Sequence, residues 1–145
     1  MKIGIYPGSF NPFHIGHKNI VDKSDKLFDK VTIAQEVNLD KVDGYTPLKL
    51  NKEIRMYSIE EYFGLLTDFI KEYDTIYINS DITIIRGFRN IKDIEYQQEQ
   101  DYWCKKLYPE FKSIYIQCDE EFKYISSSAI RQIQSYKQDI KQYLP

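Results

Sequence analysis

Short runs of β-branched and aliphatic residues alternate along this chain with longer amphipathic stretches. Lys2 to Tyr6 is an apolar run closed by Pro7-Gly8 and reads as a buried strand. Ile15, Ile20, Val21, Leu27 and Phe28 suit one face of a helix from about Ile15 to Phe28. Val31 to Glu36 is short and β-branched, a second strand, and Asn38 to Leu50, with Gly44 and Pro47, reads as a loop. Asn51 to about Lys71 is helical in pattern, with Gly64 placed to divide it. Thr75–Asn79 and Ile82–Ile85 read as strands, Ile91 to about Leu107 as a helix ending before Pro109, and Ser113–Gln117 as a strand. Ser126 opens a last helical region running towards Tyr143.

Strands that alternate with helices predict an α/β fold with a parallel sheet. No repeat, low-complexity segment or boundary divides the chain, so residues 1–145 are expected to form one domain. In such sheets ligands gather at the carboxyl ends of the strands. The segment GSFNPFHIGH, the loop holding Lys41, the string RGFR and the segment before ISSS each follow a predicted strand. They are therefore expected to converge on one sheet edge.

Composition narrows the classes. The 145 residues suffice for a core without staples. Hydrophobic residues make up 42% and charged residues 29%, a soluble, globular balance. No apolar run approaches the roughly eighteen residues of a membrane span, and the strand-like N-terminus is too short for a signal-peptide core. Cys104 and Cys118 are too few for a disulfide framework and read as reduced thiols of a cytoplasmic protein. A net charge of −2 without a basic tail gives nucleic-acid binding no support.

The chemistry concentrates in GSFNPFHIGH, Gly8 to His17. Gly8 permits a tight turn, and the amides at the start of the following helix suit an anion. His14 and His17 fall near one face of its first turn, each able to donate to phosphoryl oxygens. By itself a His-x-x-His pair usually carries no chemistry. Neither a Walker-type nor a dinucleotide glycine motif is present, and no cysteine pair or HExxH supports zinc. Ser9 would by itself be a turn or cap serine, and Lys41 an exposed lysine. Arg86 and Arg89 bracket Gly87 in an arrangement suited to clamping phosphates; the alternative is surface salt bridges to Asp93 or Glu95. Ser126, Ser127 and Ser128 are a flexible loop, a simple N-cap, or three hydroxyls of an anion site.

Taken together, three strings resemble a known family. PGSFNPFHIGH resembles the (T/H)xGH signature of the nucleotidylyltransferase superfamily. RGFRNIKDIEYQ resembles the RGxRxxxDxEYE segment of bacterial phosphopantetheine adenylyltransferase, and YISSSAIR resembles that family's ATP-phosphate segment. The likeness runs from Met1 to Pro145, weakest between about Leu50 and Ser80. It implies a Rossmann-like parallel sheet with helices on both faces, of nucleotidylyltransferase type. It implies adenylyl transfer from ATP to 4′-phosphopantetheine, giving dephospho-coenzyme A and pyrophosphate, and a homo-oligomer, hexameric in the family. It also implies Mg2+ carried on the ATP phosphates, since no dedicated carboxylate cage is visible.

The resemblance assigns His17, Lys41 and Arg86 to catalysis. It assigns Ser9, Phe10, His14, His17, Gly87, Phe88, Arg89, Gln97, Phe122, Lys123, Tyr124, Ile125, Ser126, Ser127 and Ser128 to ATP. Ser9, Lys41, Leu66 and Arg86 go to the phosphate acceptor, and Arg131 is a further phosphate candidate. Asp93 and Glu95 would order the arginines. Some positions depart from the family. Gln97 replaces a glutamate, Glu36 places an acid near the acceptor entrance, the stretch from Arg55 to Arg86 is short, and the family's last helix is not matched. The alternatives are a sibling enzyme using another acceptor, such as a pyridine mononucleotide, and an inactive nucleotide-binding relative.

Overall fold

The structure is a computed structural model that describes residues 1–38 and 57–145. Ile3, Gly4, Ile5 and Tyr6 are all buried, as in a parallel strand covered on both faces. They lie in β1 (Lys2–Gly8). There follow α1 (Ile15–Asp25), β2 (Lys30–Glu36), β3 (Ser58–Tyr62), α2 (Leu66–Ile76), β4 (Asp81–Phe88), α3 (Ile91–Leu107), β5 (Ser113–Gln117) and α4 (Ser127–Ser135). Every strand pairing is parallel, in the order β3-β2-β1-β4-β5. The chain steps outward from β1 to β3 and then crosses back to β4. The strand order thus reverses between β1 and β4, where an open α/β sheet leaves its ligand crevice.

The two-residue period of each strand sorts its side chains into two cores. Tyr6, Val31, Ile33 and Ile85 pack with Ile20 and Val21 of α1. Ile3, Ile5, Ala34 and Ile84 pack on the other face with Ile70 and Tyr73 of α2. Helices therefore cover both faces of the sheet. Gly87 sets how closely α1 approaches the end of β4, since a Cβ there would meet Ile20 Cγ1 at 2.8 Å and the Tyr6 hydroxyl at 3.2 Å.

Two predicted elements are replaced. The helix expected over Asn51–Lys71 is, within the described residues, a strand (β3), a break at Gly64 with φ +80°, and then α2. β3 is the edge strand, and its exposed Ile59 and Glu61 keep it from looking like a core strand. The strand expected over Thr75–Asn79 is the end of α2 and a turn. Ile70, Tyr73 and Tyr77 continue a helical stripe into the core, while Ile76 and Ile78 are exposed. The last helix stops at Ser135, with Lys137 at φ +59°, and only a 3-10 turn follows at Lys141–Tyr143.

Candidate active site

The loop after β1 is the centre of the site. Phe10 sits in the left-handed region at φ +48°, which a bulky residue adopts only when its surroundings hold it. Its ring, 4% exposed, is wedged between Tyr6 (5.2 Å) and Phe13 (5.3 Å). The buried Gln35 of β2 donates its amide to the Ser9 carbonyl at 3.2 Å. Packing and a neighbouring strand together fix the turn that delivers α1.

His14 is the N-cap of α1, and the spacing of the two histidines follows from that role. His14 Nδ1 accepts from the N–H groups of Gly16 (3.1 Å) and His17 (3.3 Å), and His17 Nδ1 accepts from the His14 N–H (3.2 Å). This is a capping box built from two imidazoles, whose rings stack 3.7 Å apart. A ring nitrogen that accepts carries no proton, so each neutral imidazole keeps its proton on Nε2. Burial pushes His14 down to about 4, helped by the charge of Arg89. Burial, then His14 and Arg89, hold His17 well below its ordinary value. The Phe10 and Phe13 rings lie 5.0 and 5.3 Å from the His17 ring. At neutral pH both side chains are thus uncharged Nε2–H donors. Both line a cavity of about 650 Å³ at the carboxyl edge of the sheet.

The opposite wall comes from β4 and α3. Arg89 forms a two-point ion pair with Asp93, Nε–Oδ2 3.0 Å and Nη2–Oδ1 3.1 Å. Burial raises the Asp93 carboxyl, but the Arg89 contacts outweigh it and hold the group below its ordinary value. Arg86 is 7% exposed, and its Nε and Nη2 both reach Asp101 Oδ1, at 3.0 and 2.8 Å. Gln97 donates to the Gly87 carbonyl at 2.8 Å and to the Asp93 carbonyl at 3.2 Å. Asp93, Gln97 and Asp101 recur every four residues, so one stripe of α3 grips the end of β4. Salt bridging and presentation to the cavity are here the same arrangement. Asp93 orders Arg89 as expected, whereas the partner of Arg86 is Asp101 and not Glu95.

The third wall is the approach to α4. Ser126 caps α4, its Oγ accepting from Ala129 N–H at 3.1 Å, and Ser127 donates to the Pro12 carbonyl at 2.9 Å. Arg131 donates to the Asn11 carbonyl, so it serves as a staple between α4 and the first loop. Lys23 of α1 pairs with Asp119 at 2.6 Å and holds the segment that carries Phe122.

Ser9, Phe10, His14, His17, Leu66, Arg86, Gly87, Phe88, Arg89, Gln97, Phe122, Ile125, Ser126 and Ser127 all line the one cavity. Lys123, Tyr124 and Ser128 do not. Tyr124 is 84% exposed, with the Lys123 ammonium over its ring, and Ser128 is an exposed residue of the capping turn. Lys41 lies outside the described residues. Leu65, a wall candidate beside Leu66 from the sequence, also lines the cavity, but reading the sequence missed much of its other half: Tyr62, Thr67, Gln100, Trp103, Cys104 and Leu107. Thr67 is 1% exposed, and its Oγ1 has no hydrogen-bond partner among the described residues. Glu36 is exposed at the rim, and burial together with its charge raises the Tyr62 hydroxyl.

Among the described residues no three His, Cys, Asp or Glu side chains are grouped to hold a metal ion. Asp93 and Asp101 are both engaged by arginines, so this wall offers no ready magnesium ligands. No helix among the described residues is long and apolar enough to cross a membrane.

A parallel sheet with uncharged imidazole donors, guanidinium groups and a capped helix start gathered at its switch point is the build of a nucleotide-handling α/β enzyme. The family model described as cytidylyltransferase-like matches residues 5–133. The chain is 32% identical to the phosphopantetheine adenylyltransferase of Clostridium botulinum, covering 100% of this chain and 92% of that one. It is 30% identical to that of Clostridium perfringens, covering 100% and 89%. Its fold is similar to the solved structure of Plasmodium falciparum nicotinic acid mononucleotide adenylyltransferase complexed with NaAD, with a TM-score of 0.66 at 20% identity, covering 99% and 90%. The chain is a nucleotidyltransferase. It belongs to the cytidylyltransferase-like family and, within it, groups with the phosphopantetheine adenylyltransferases.

Proposed function

We propose that this enzyme transfers the adenylyl group of ATP to 4′-phosphopantetheine, releasing pyrophosphate and forming dephospho-coenzyme A. The observation that carries the reading is the meeting of His17, Arg86, Arg89 and the start of α4 around one cavity of about 650 Å³. The choice of acceptor is supported by the relatives named phosphopantetheine adenylyltransferase, which match over the whole of this chain.

The nucleophile belongs to the acceptor phosphate, so the protein needs no nucleophile of its own. Its task is to hold two anionic groups in line and meet the charge that develops on the transferred phosphorus. His17 donates Nε2–H to a phosphoryl oxygen, with Nδ1 locked by the cap. Arg89 and the Ser126–Ser127 turn hold the nucleotide phosphates, and Phe122 and Ile125 border the base. Arg86 holds the acceptor phosphate. Leu65, Leu66, Trp103 and Leu107 offer an apolar wall to an extended acceptor arm. Lys41 supplies further positive charge to the acceptor phosphate. Magnesium, held by the nucleotide phosphates and not by a carboxylate cage of this chain, would neutralise part of their charge.

The test is pyrophosphate release from ATP with each acceptor in turn. Release that requires 4′-phosphopantetheine and is not supported by nicotinate mononucleotide is expected. The reverse preference would reassign the acceptor, and release with neither would remove the activity.

A further inference from the structure

Asp101 has no task in the mechanism above, yet it holds the arginine assigned to the acceptor. Its Oδ1 receives both Arg86 Nε and Arg86 Nη2. Its Oδ2 receives the hydroxyls of Ser113 and Tyr115, each at 2.6 Å. Ser113 and Tyr115 lie on β5, and Tyr115 stands in register with Arg86 of β4. The Asp101 side chain is 14% exposed and that of Arg86 8%. Four donors on one such carboxylate leave it little freedom, and a carboxylate that cannot move pins the guanidinium it pairs with. One edge of Arg86, formed by Nε and Nη2, is spent on Asp101, and no hydrogen bond or ion pair of Nη1 to a described residue accompanies it. None of Asp101, Ser113 or Tyr115 lines the cavity, but Arg86 does.

We propose that Asp101 is the positioning residue of the acceptor half: anchored by Ser113 and Tyr115, it fixes the Arg86 guanidinium so that its free edge meets the acceptor phosphate. This rests on the adenylyl-transfer reading for the identity of the acceptor. It assigns a functional role to a polar triad behind the cavity wall. It also separates the two arginines, since Arg89 is set by Asp93 and the nucleotide half does not depend on Asp101.

The test compares Asp101→Ala, Asp101→Asn and Tyr115→Phe with the wild type. KM is measured for 4′-phosphopantetheine and for ATP, beside the thermal midpoint. Asp101→Ala should raise the acceptor KM about tenfold or more, and Tyr115→Phe about threefold, at a nearly unchanged ATP KM. Asp101→Asn keeps an oxygen for Arg86 and should recover most of the loss. A purely structural role would lower the midpoint and move both KM values together, which would overturn the proposal. So would a lower acceptor KM in Asp101→Ala, because the carboxylate would then be a brake on Arg86 charge. If Asp101→Ala fails to fold, as an unpaired buried arginine makes possible, Tyr115→Phe and Asp101→Asn decide the question. Trp103, the chain's single tryptophan, lines the cavity. Its fluorescence, titrated with inorganic phosphate at saturating ATP, gives the same comparison without turnover. A wild type that binds phosphate but shows no acceptor-dependent release refutes the adenylyl-transfer reading. Equal phosphate affinity in wild type and Tyr115→Phe refutes the positioning role.

Discussion

His14 and His17 cap one another: the Nδ1 of each accepts the main-chain N–H of the other, at 3.3 and 3.2 Å. His17, the histidine proposed to meet the phosphates, is therefore also part of the joint that starts α1. Its orientation and its tautomer are fixed by the same contact.

One consequence is a pH dependence of stability. Burial, with the Arg89 charge behind it, holds His14 at about 4 in the folded protein, against 6.5 when unfolded. His17 is displaced in the same direction. Between these values the unfolded chain binds more protons, so stability rises with pH. The neutral-imidazole contribution is full above about 6.5 and is lost as pH falls through about 4. Asn is a strong N-cap that does not titrate. His14→Asn should therefore keep α1 while flattening the fall of the thermal midpoint between pH 6.5 and 4. An unchanged pH profile would count against the assignment.

Gln97 stands where the resemblance implies a glutamate, and its environment accounts for the amide. A carboxylate there could not donate to the Gly87 and Asp93 carbonyls that Gln97 now serves. Gln97→Glu should destabilise the fold by about 1–2 kcal/mol and raise the ATP KM. A chemical-denaturation midpoint and an ATP titration check both. Tighter ATP binding in the variant would show that the position is free of β4.

Gly87 carries a steric prediction. A methyl group there would meet Ile20 and the Tyr6 hydroxyl and push α1, with His17, away from β4. Gly87→Ala should cost about 1–3 kcal/mol and lower kcat more than it changes either KM. A variant of unaltered stability and kcat would mean that α1 accommodates the group.

Glu36 is an exposed acid at the rim of the cavity, in the half proposed for the acceptor. Glu36→Gln should lower the KM for 4′-phosphopantetheine by about two- to fivefold at low salt, with the gain shrinking as salt screens it. A higher KM would instead mean that Glu36 receives a donor from the acceptor.

The parts of this protein that can be read from its sequence are those fixed by local pattern. Val31–Glu36 and Ser113–Gln117 are runs with no helical alternative, and Ile91–Leu107 is a long segment bounded by Asn90 and Pro109. Ser58–Tyr62 is hidden because an edge strand needs no apolar run on both faces. Ile76 and Ile78 mislead because they are apolar and exposed. In the site, the strings GSFNPFHIGH and RGFR announce phosphate chemistry, and their convergence follows from strand ends alone. Asp101 is invisible because its partners, Arg86, Ser113 and Tyr115, come together only through the pairing of β4 with β5. The one available signal was the four-residue spacing of Asp93, Gln97 and Asp101 on a helix with no buried residue.

The central claim is that the His17 Nε2–H meets the phosphate that changes hands. It is tested by pyrophosphate release from ATP, magnesium and 4′-phosphopantetheine in the wild type and in His17→Ala. The account predicts a rate lower by about 10²–10³ in the variant, with the thermal midpoint lowered by only the few degrees that a lost capping contact costs. Release at the wild-type rate by a folded His17→Ala protein would contradict it.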